Sequence, residues 1–218
     1  MIEAVLFDVD GTLVDSNDLH AAAWQEAFRH FGIVLPYERI RRQIGKGGDN
    51  LIPSLLPADV AERLQEEIEA FRSELFRSDY LPKARPFPGA ADLLKRLRDL
   101  DAKLVLATSS RQEELDFHID KLRCRELLTG TTTRDDVEHS KPCPDIFEAA
   151  LEKARPLNGG LAVVVGDTPW DMKAAAKLGV PAVAVRCGGF PDGELSGAAA
   201  IYDGPPELIE AYPGWLPR

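Results

Sequence analysis

Short uninterrupted apolar runs recur along the chain at Ala4–Phe7, Leu104–Ala107, Leu161–Val165 and Ala182–Val185. Apolar runs without polar alternation suit strands covered on both faces, as in a parallel sheet. Between these runs the period lengthens. Leu93, Leu94, Leu97 and Leu100 in Ala90–Leu100, and Ile146, Phe147, Ala150 and Leu151 in Asp145–Ala154, have the spacing of helices with one buried face. A third helix is predicted over Asp171–Leu178, stopped by Gly179 and Pro181. Alternating strand and helix predicts an α/β fold, a doubly wound parallel sheet with right-handed crossovers.

One stretch breaks this rhythm. From Asn17 to Lys83 no strand is evident, only helical patterns such as Leu19–Phe31 and Ala58–Phe76. The predicted division is a core of residues 1–16 and 84–218 with a helical module, 17–83, inserted just after the first strand. Pro82, Pro86 and Pro88 predict a stiff linker where the chain returns. No internal repeat or low-complexity segment interrupts either part.

The length of 218 residues, with 44% hydrophobic and 28% charged residues, fits a soluble domain with an insertion and argues against a disordered or fibrous chain. Asp and Glu number 36 against 26 Lys and Arg, a net charge of −10, which argues against nucleic acid or anionic lipid as partners. Cys124, Cys143 and Cys187 are odd in number and lack the spacing of a disulfide framework or zinc site, so a reducing cytoplasmic setting is expected. No apolar stretch is long enough for a membrane span, and the N-terminus does not read as a signal peptide.

Candidate chemistry gathers where the strands end. The first runs into Asp8-Val9-Asp10-Gly11-Thr12-Leu13, and two-residue spacing in extended chain points Asp8 and Asp10 the same way. Taken alone, this reads most simply as a turn with capping acids. The third strand, however, ends in Gly166-Asp167-Thr168-Pro169-Trp170-Asp171. Asp171 is placed either as a first-turn helix acid or beside Asp8 and Asp167 in an oxygen-rich site suited to magnesium. The second strand ends in Thr108-Ser109-Ser110, either an ordinary helix cap or a phosphate cradle. In Ser140-Lys141-Pro142-Cys143-Pro144-Asp145 two prolines stiffen the chain after Lys141, where a cation would offset the acids. Cys143 has no histidine partner in readable distance, which argues against a cysteine nucleophile.

Taken in order, these four pieces resemble the motifs of the haloacid dehalogenase superfamily. Asp8–Leu13 is similar to the first motif, Thr108 to the second, Lys141 to the third and Gly166-Asp167 through Asp171 to the fourth. The resemblance implies a Rossmann-like core with an α-helical cap inserted between the first and second motifs. It implies that Asp8 is the nucleophile, that Asp10 is the general acid and base, and that Thr108 and Lys141 grip the phosphoryl group, helped by the amides of Gly11 and Ser109. Magnesium would be held by the Asp8 side chain, the Asp10 carbonyl and Asp167, with Asp171 in or just behind that shell. Dehalogenases of the superfamily lack an acid two residues after the nucleophile, and Asp10 argues against their chemistry.

Asp15–His20 and Trp24 also resemble β-phosphoglucomutases. Those enzymes hold a second phosphate with an arginine in a glycine-containing cap loop, and here Gly45-Lys46-Gly47-Gly48-Asp49 aligns glycine with that arginine. Lys46 is either a substrate contact or an exposed turn lysine. His20 either relays a proton near the hinge or packs, and Trp170 either walls the site or packs on the cap. The expectation is a magnesium-dependent phosphatase for small phosphorylated metabolites such as sugar phosphates or phosphoglycolate-like molecules, working as a monomer or small homo-oligomer. A mutase and a non-catalytic binding protein of the same fold are the alternatives. The C-terminal Tyr212–Pro217 stretch is open to docking on the core or on a partner.

Overall fold

The computed structural model describes residues 1–216. Its strands are β1 (Ile2–Phe7), β2 (Val14–Asp15), β3 (Arg85–Pro86), β4 (Lys103–Ala107), β5 (Gly130–Thr132), β6 (Leu161–Gly166), β7 (Ala182–Val185) and β8 (Ala200–Tyr202). Its α-helices are α1 (Asn17–His30), α2 (Tyr37–Arg41), α3 (Gly48–Leu55), α4 (Ala58–Leu75), α5 (Ala90–Arg98), α6 (Gln112–Leu122), α7 (Asp145–Ala154), α8 (Pro169–Leu178) and α9 (Pro205–Ala211).

Six strands form one parallel sheet in the order β5-β4-β1-β6-β7-β8. The apolar runs are continuous because both sheet faces are buried. Val5 and Phe7 of β1, with Leu104, Leu106, Val163, Val165, Val183 and Val185, face α5, α6 and α9. Ala4 and Leu6, with Val105, Ala107, Val164 and Ala184, face α7 and α8. Two strands of the sheet, the short strands β2 and β3, and several helices escape the apolar-run reading. Gly130-Thr131-Thr132 and Ala200-Ile201-Tyr202 are short edge strands, where burial on one side only relaxes the demand for apolar residues. The helix α6 was also not foreseen.

The inserted helices have a core of their own. Trp24 and Phe28 of α1, Ile40 of α2, Ile52 of α3 and Ile68 of α4 pack together in a cluster separate from both sheet faces. The proline-rich return is not a plain linker. A π-helical turn at Phe76–Tyr80 and a 3-10 turn at Leu81–Lys83 lead into β3, which pairs antiparallel with β2 through Val14↔Pro86 and Asp15↔Arg85. Both crossings between cap and core thus run through one two-stranded ribbon.

The C-terminal segment docks on the core: Trp215 is fully buried against it, and its indole N–H donates to the Leu208 carbonyl at 2.8 Å. Pro217 lies outside the described residues. No helix among the described residues is long and apolar enough to cross a membrane.

Candidate active site

The strand order sets the site. From β1 the chain builds outward to β4 and β5, and then from β6 outward to β7 and β8, so the direction of winding reverses between β1 and β6. In open α/β sheets the crevice at the carboxyl ends of such strands is where ligands bind. Asp8 and Asp10 follow β1, Thr108 follows β4, Asp167 follows β6, and Asp171 lies in the first turn of α8.

The structure brings Asp8, Asp167 and Asp171 together, with carboxylate oxygens all within 4.8 Å of one another and all three residues buried. Lys141, itself fully buried, reaches into them from the loop before α7. Its Nζ lies 2.5 Å from Asp8 Oδ1 and 2.7 Å from Asp171 Oδ1. One ammonium faces three buried carboxylates, where unbalanced charge is costly. The proton affinities carry that imbalance. Burial pushes the Asp8 carboxyl well above the usual carboxylate range against the pull of Lys141, and the charges of Asp171 and Asp167 push the same way. Asp167 is pushed up to about 7 by burial and by Asp171. The lysine also rises, for a different reason: burial would lower it, but Asp171 and Asp8 hold it above its ordinary value.

Each acid is fixed by its neighbours. Thr12 Oγ1 and Asn17 Nδ2 donate to the two oxygens of Asp167 at 3.0 and 2.7 Å. Asp171 has two sets of partners: one oxygen accepts from the Thr168 amide and hydroxyl in a helix capping box, while the other faces Lys141. The donor set is all carboxylate oxygen, buried, and carries more negative than positive charge. That is the chemistry of a site for a hard divalent cation, and it fits magnesium.

The Asp10 carboxylate stands apart from this cluster. Its Oδ1 accepts from Ser16 Oγ at 2.6 Å and lies 2.9 Å from His20 Nε2 and 3.4 Å from His118 Nε2. Its Oδ2 accepts from Ser110 Oγ at 2.9 Å and Thr108 Oγ1 at 3.2 Å. Burial alone would raise Asp10, but the two imidazoles hold it well below the usual range. Any part Asp10 takes in holding a cation therefore falls to its backbone carbonyl, as the resemblance implies.

His20 packs, stacking on Phe76 at 4.0 Å between ring centroids, and at the same time touches Asp10. Its other nitrogen contacts Arg72 of α4, whose guanidinium also lies over the Trp24 and Phe76 rings and 3.4 Å from Glu114. Sequence reading passed over Arg72, Glu114 and His118. The one signal for His118 is a histidine on the apolar face that Leu115, Ile119 and Leu122 give α6, a pattern that core histidines share.

Gly11 does not offer its amide to a ligand. That N–H donates to the Val14 carbonyl at 2.7 Å. The residue has φ +78°, and a Cβ there would come within 2.3 Å of Asp167 Oδ2, so the turn needs glycine for its shape rather than for anion binding.

Asp8, Asp10, His20, Lys46, Thr108 and Ser109 line one cavity of about 60 Å³ between cap and sheet. Lys46 Nζ donates to Gln43 Oε1 at 2.6 Å and sits 4.1 Å from the Trp170 ring centroid, with burial and Lys173 lowering its proton affinity. Trp170 thus meets the cap through Lys46. Ser109 Oγ donates to the Gly45 carbonyl at 3.4 Å. A second cavity of about 290 Å³ shares Trp24, Arg72, Ser109 and Ser110 with the first.

A family model described as "Haloacid dehalogenase-like hydrolase" matches residues 5–185. The chain is 27% identical over 180 residues to validoxylamine A 7'-phosphate phosphatase of Streptomyces hygroscopicus subsp. limoneus, covering 83% of this chain and 84% of that one. It is 26% identical over 219 residues to a phosphorylated carbohydrates phosphatase of Thermotoga maritima, covering 95% and 97%. A solved hydrolase structure from Pseudomonas syringae superposes with a TM-score of 0.84 at 33% identity, covering 99% of this chain and all of that one.

Proposed function

The chain belongs to the haloacid dehalogenase-like hydrolase family, and on that premise we propose that it is a magnesium-dependent phosphatase of small phosphate monoesters, working through an aspartyl phosphate on Asp8. The observation that carries this reading is the buried meeting of Asp8, Asp167 and Asp171 with Lys141, beside an Asp10 facing the same cavity.

Asp8 Oδ attacks phosphorus, forming the aspartyl phosphate as the bond to the leaving oxygen breaks. Asp10 gives that oxygen its proton, then takes one from the water that attacks phosphorus and frees phosphate and Asp8. His20 and His118 keep Asp10 ionised, the state this second half needs. An arriving phosphate dianion raises the proton affinity of Asp10, the state the first half needs. Lys141 and the Thr108 hydroxyl hold phosphoryl oxygens. Asp8 and Asp167, with the Asp10 carbonyl and Asp171 beside them, would hold the magnesium ion. When bound, that cation offsets the carboxylate charge and lets Asp8 meet an anionic substrate as the ionised nucleophile.

The leaving group extends into the second cavity, whose lining includes Trp24, Arg72, Arg111, Arg134, Glu69 and Glu114. An aromatic face among hydrogen-bonding groups of both charges suits a polyhydroxylated leaving group and supports sugar phosphates. The named activities of the two phosphatase relatives support the same class. The mutase alternative loses support in the Gly45–Asp49 loop, where glycine falls at the place of the mutases' arginine and a Cβ on Gly47 would come within 2.6 Å of Ser140 Oγ.

A product-resolved assay on a panel of phosphate monoesters including β-glucose 1-phosphate, with and without magnesium and beside Asp8→Asn, tests this. Free phosphate appearing only with magnesium and intact Asp8 is the expected result. Glucose 6-phosphate without matching phosphate release would replace the phosphatase with a mutase, and no turnover on the panel with magnesium bound would favour a binding protein.

A further inference from the structure

Gly47 and the first turn of α3 close on one core residue, Ser140. Ser140 precedes Lys141 and is fully buried. Its amide N–H donates to Asp49 Oδ2 at 3.0 Å and its hydroxyl donates to Asp49 Oδ1 at 2.5 Å. Its Oγ also accepts the Gly47 N–H at 2.9 Å, and its carbonyl accepts from Asn50 Nδ2 at 3.0 Å. Every polar group of Ser140 therefore meets a cap residue. Asp49 is itself steadied from the core by Arg134, whose Nε lies 3.7 Å away.

Lys141 lies in no helix or strand. Its loop has other ties: the Cys143 N–H donates to the Ser140 carbonyl at 3.0 Å, Lys177 to the Pro142 carbonyl at 2.9 Å, and the His139 N–H to Asp145 at 3.3 Å. The latter two are exposed bonds on the outer side, where water competes. On the side facing the cap the backbone is tied by the partly buried bonds to Asp49 and Asn50, while the lysine side chain itself meets Asp8, Asp171 and the Ala107 carbonyl. Asn50 Nδ2 extends the grip as far as the Lys141 carbonyl, 3.4 Å away.

We infer that Asp49 and Asn50 are positioning residues which, through Ser140, set Lys141 against Asp8, so that the phosphoryl-gripping lysine is in place only while the cap is docked. The inference rests on the phosphatase reading above. It gives cap docking a direct effect on the chemical step besides excluding water. Misplacing a catalytic group by about 1 Å can cost on the order of 100-fold in rate.

The test compares Asp49→Ala, Asp49→Asn, Ser140→Ala and the double variant Asp49→Ala/Ser140→Ala with Arg41→Ala. Arg41 bridges cap and core elsewhere, at the Gly188 carbonyl. For a phosphate monoester turned over by the wild type, Asp49→Ala is expected to lower kcat by about 10- to 100-fold with KM changed less than about threefold. Asp49→Asn, which keeps one acceptor, recovers part of that loss. The double variant is no slower than the slower single one, since both cut the same linkage. Arg41→Ala leaves kcat within about threefold, and the melting temperatures of the folded variants stay close to wild type. An unchanged kcat in Asp49→Ala, an equal loss in Arg41→Ala, or losses that multiply in the double variant would overturn the inference and leave the phosphatase reading standing. A wild-type chain without phosphatase activity would overturn both.

Discussion

Lys141 Nζ lies 2.5 Å from Asp8 Oδ1, and neither residue is more than 3% exposed. The proposed nucleophile and its cation are thus paired before any substrate arrives, with Asp171 Oδ1 also 2.7 Å from the ammonium. The pairing keeps Asp8 aimed and limits the cost of burying three acids in one place.

Lys141→Ala would leave those acids with no cation among their contacts, and a broken buried pair costs about 3–5 kcal/mol. Phosphatase activity is expected to fall at least about 100-fold. Thermal melts should show a larger loss of stability at pH 8 than at pH 5.5, because Asp8 and Asp167 take up protons in acid and shed their charge. Equal losses at the two pH values would argue against the charge account.

Asp167 gives a pH dependence of definite sign. Its folded-state value of about 7 stands above the ordinary 3.8, so the folded chain binds that proton more tightly. Its stabilising contribution is full below the ordinary value and is lost as pH rises through 7. Without divalent cations, melting temperature should fall between pH 5.5 and 8, and magnesium should restore it at pH 8. Asp167→Asn should flatten the pH dependence and abolish the magnesium response. A magnesium response that survives in this variant would place the cation elsewhere.

Gly47→Arg puts an arginine into the glycine loop on which the mutases' phosphate-holding arginine falls, and its Cβ would meet Ser140 Cβ at 2.7 Å. The variant is expected to lose phosphatase activity without gaining mutase activity. The readout is glucose 6-phosphate formed from β-glucose 1-phosphate primed with a sugar bisphosphate. Its appearance would show that the loop has room to re-form around the side chain.

Trp215→Ala removes a fully buried indole far along the chain from the site motifs and the hydrogen bond it gives Leu208. Denaturant unfolding should show a loss of about 3–5 kcal/mol, with KM unchanged in the protein that remains folded. A loss below about 1 kcal/mol would mean that the segment contributes little to holding the core.

Part of the site was readable because it is built from local patterns. An apolar run that ends in an acid, as at Asp8 and Asp167, identifies a buried strand and its carboxyl tip within a few residues. Asp171 was readable in the same way, since capping and charge pairing both act in the first turn of α8. The edge strands β5 and β8 and the ribbon β2/β3 carry no such mark, because two or three residues are too few to show a period.

The sequence by itself determined the parallel α/β core and the inserted helices, since strand burial and helical period are properties of neighbouring residues, and the order of its motifs brought in, through the family they resemble, the acids and Lys141 proposed to carry the chemistry. The tertiary structure alone decided what surrounds them. Asp49 grips Ser140 from 91 positions away, Thr108 meets Asp10 from 98, and Arg72 of the cap touches His20. The spacing along the chain has no bearing on these contacts. They exist because the cap packs on its own hydrophobic cluster and faces the strand tips of a sheet packed on both sides, and the distance between those faces is set by packing.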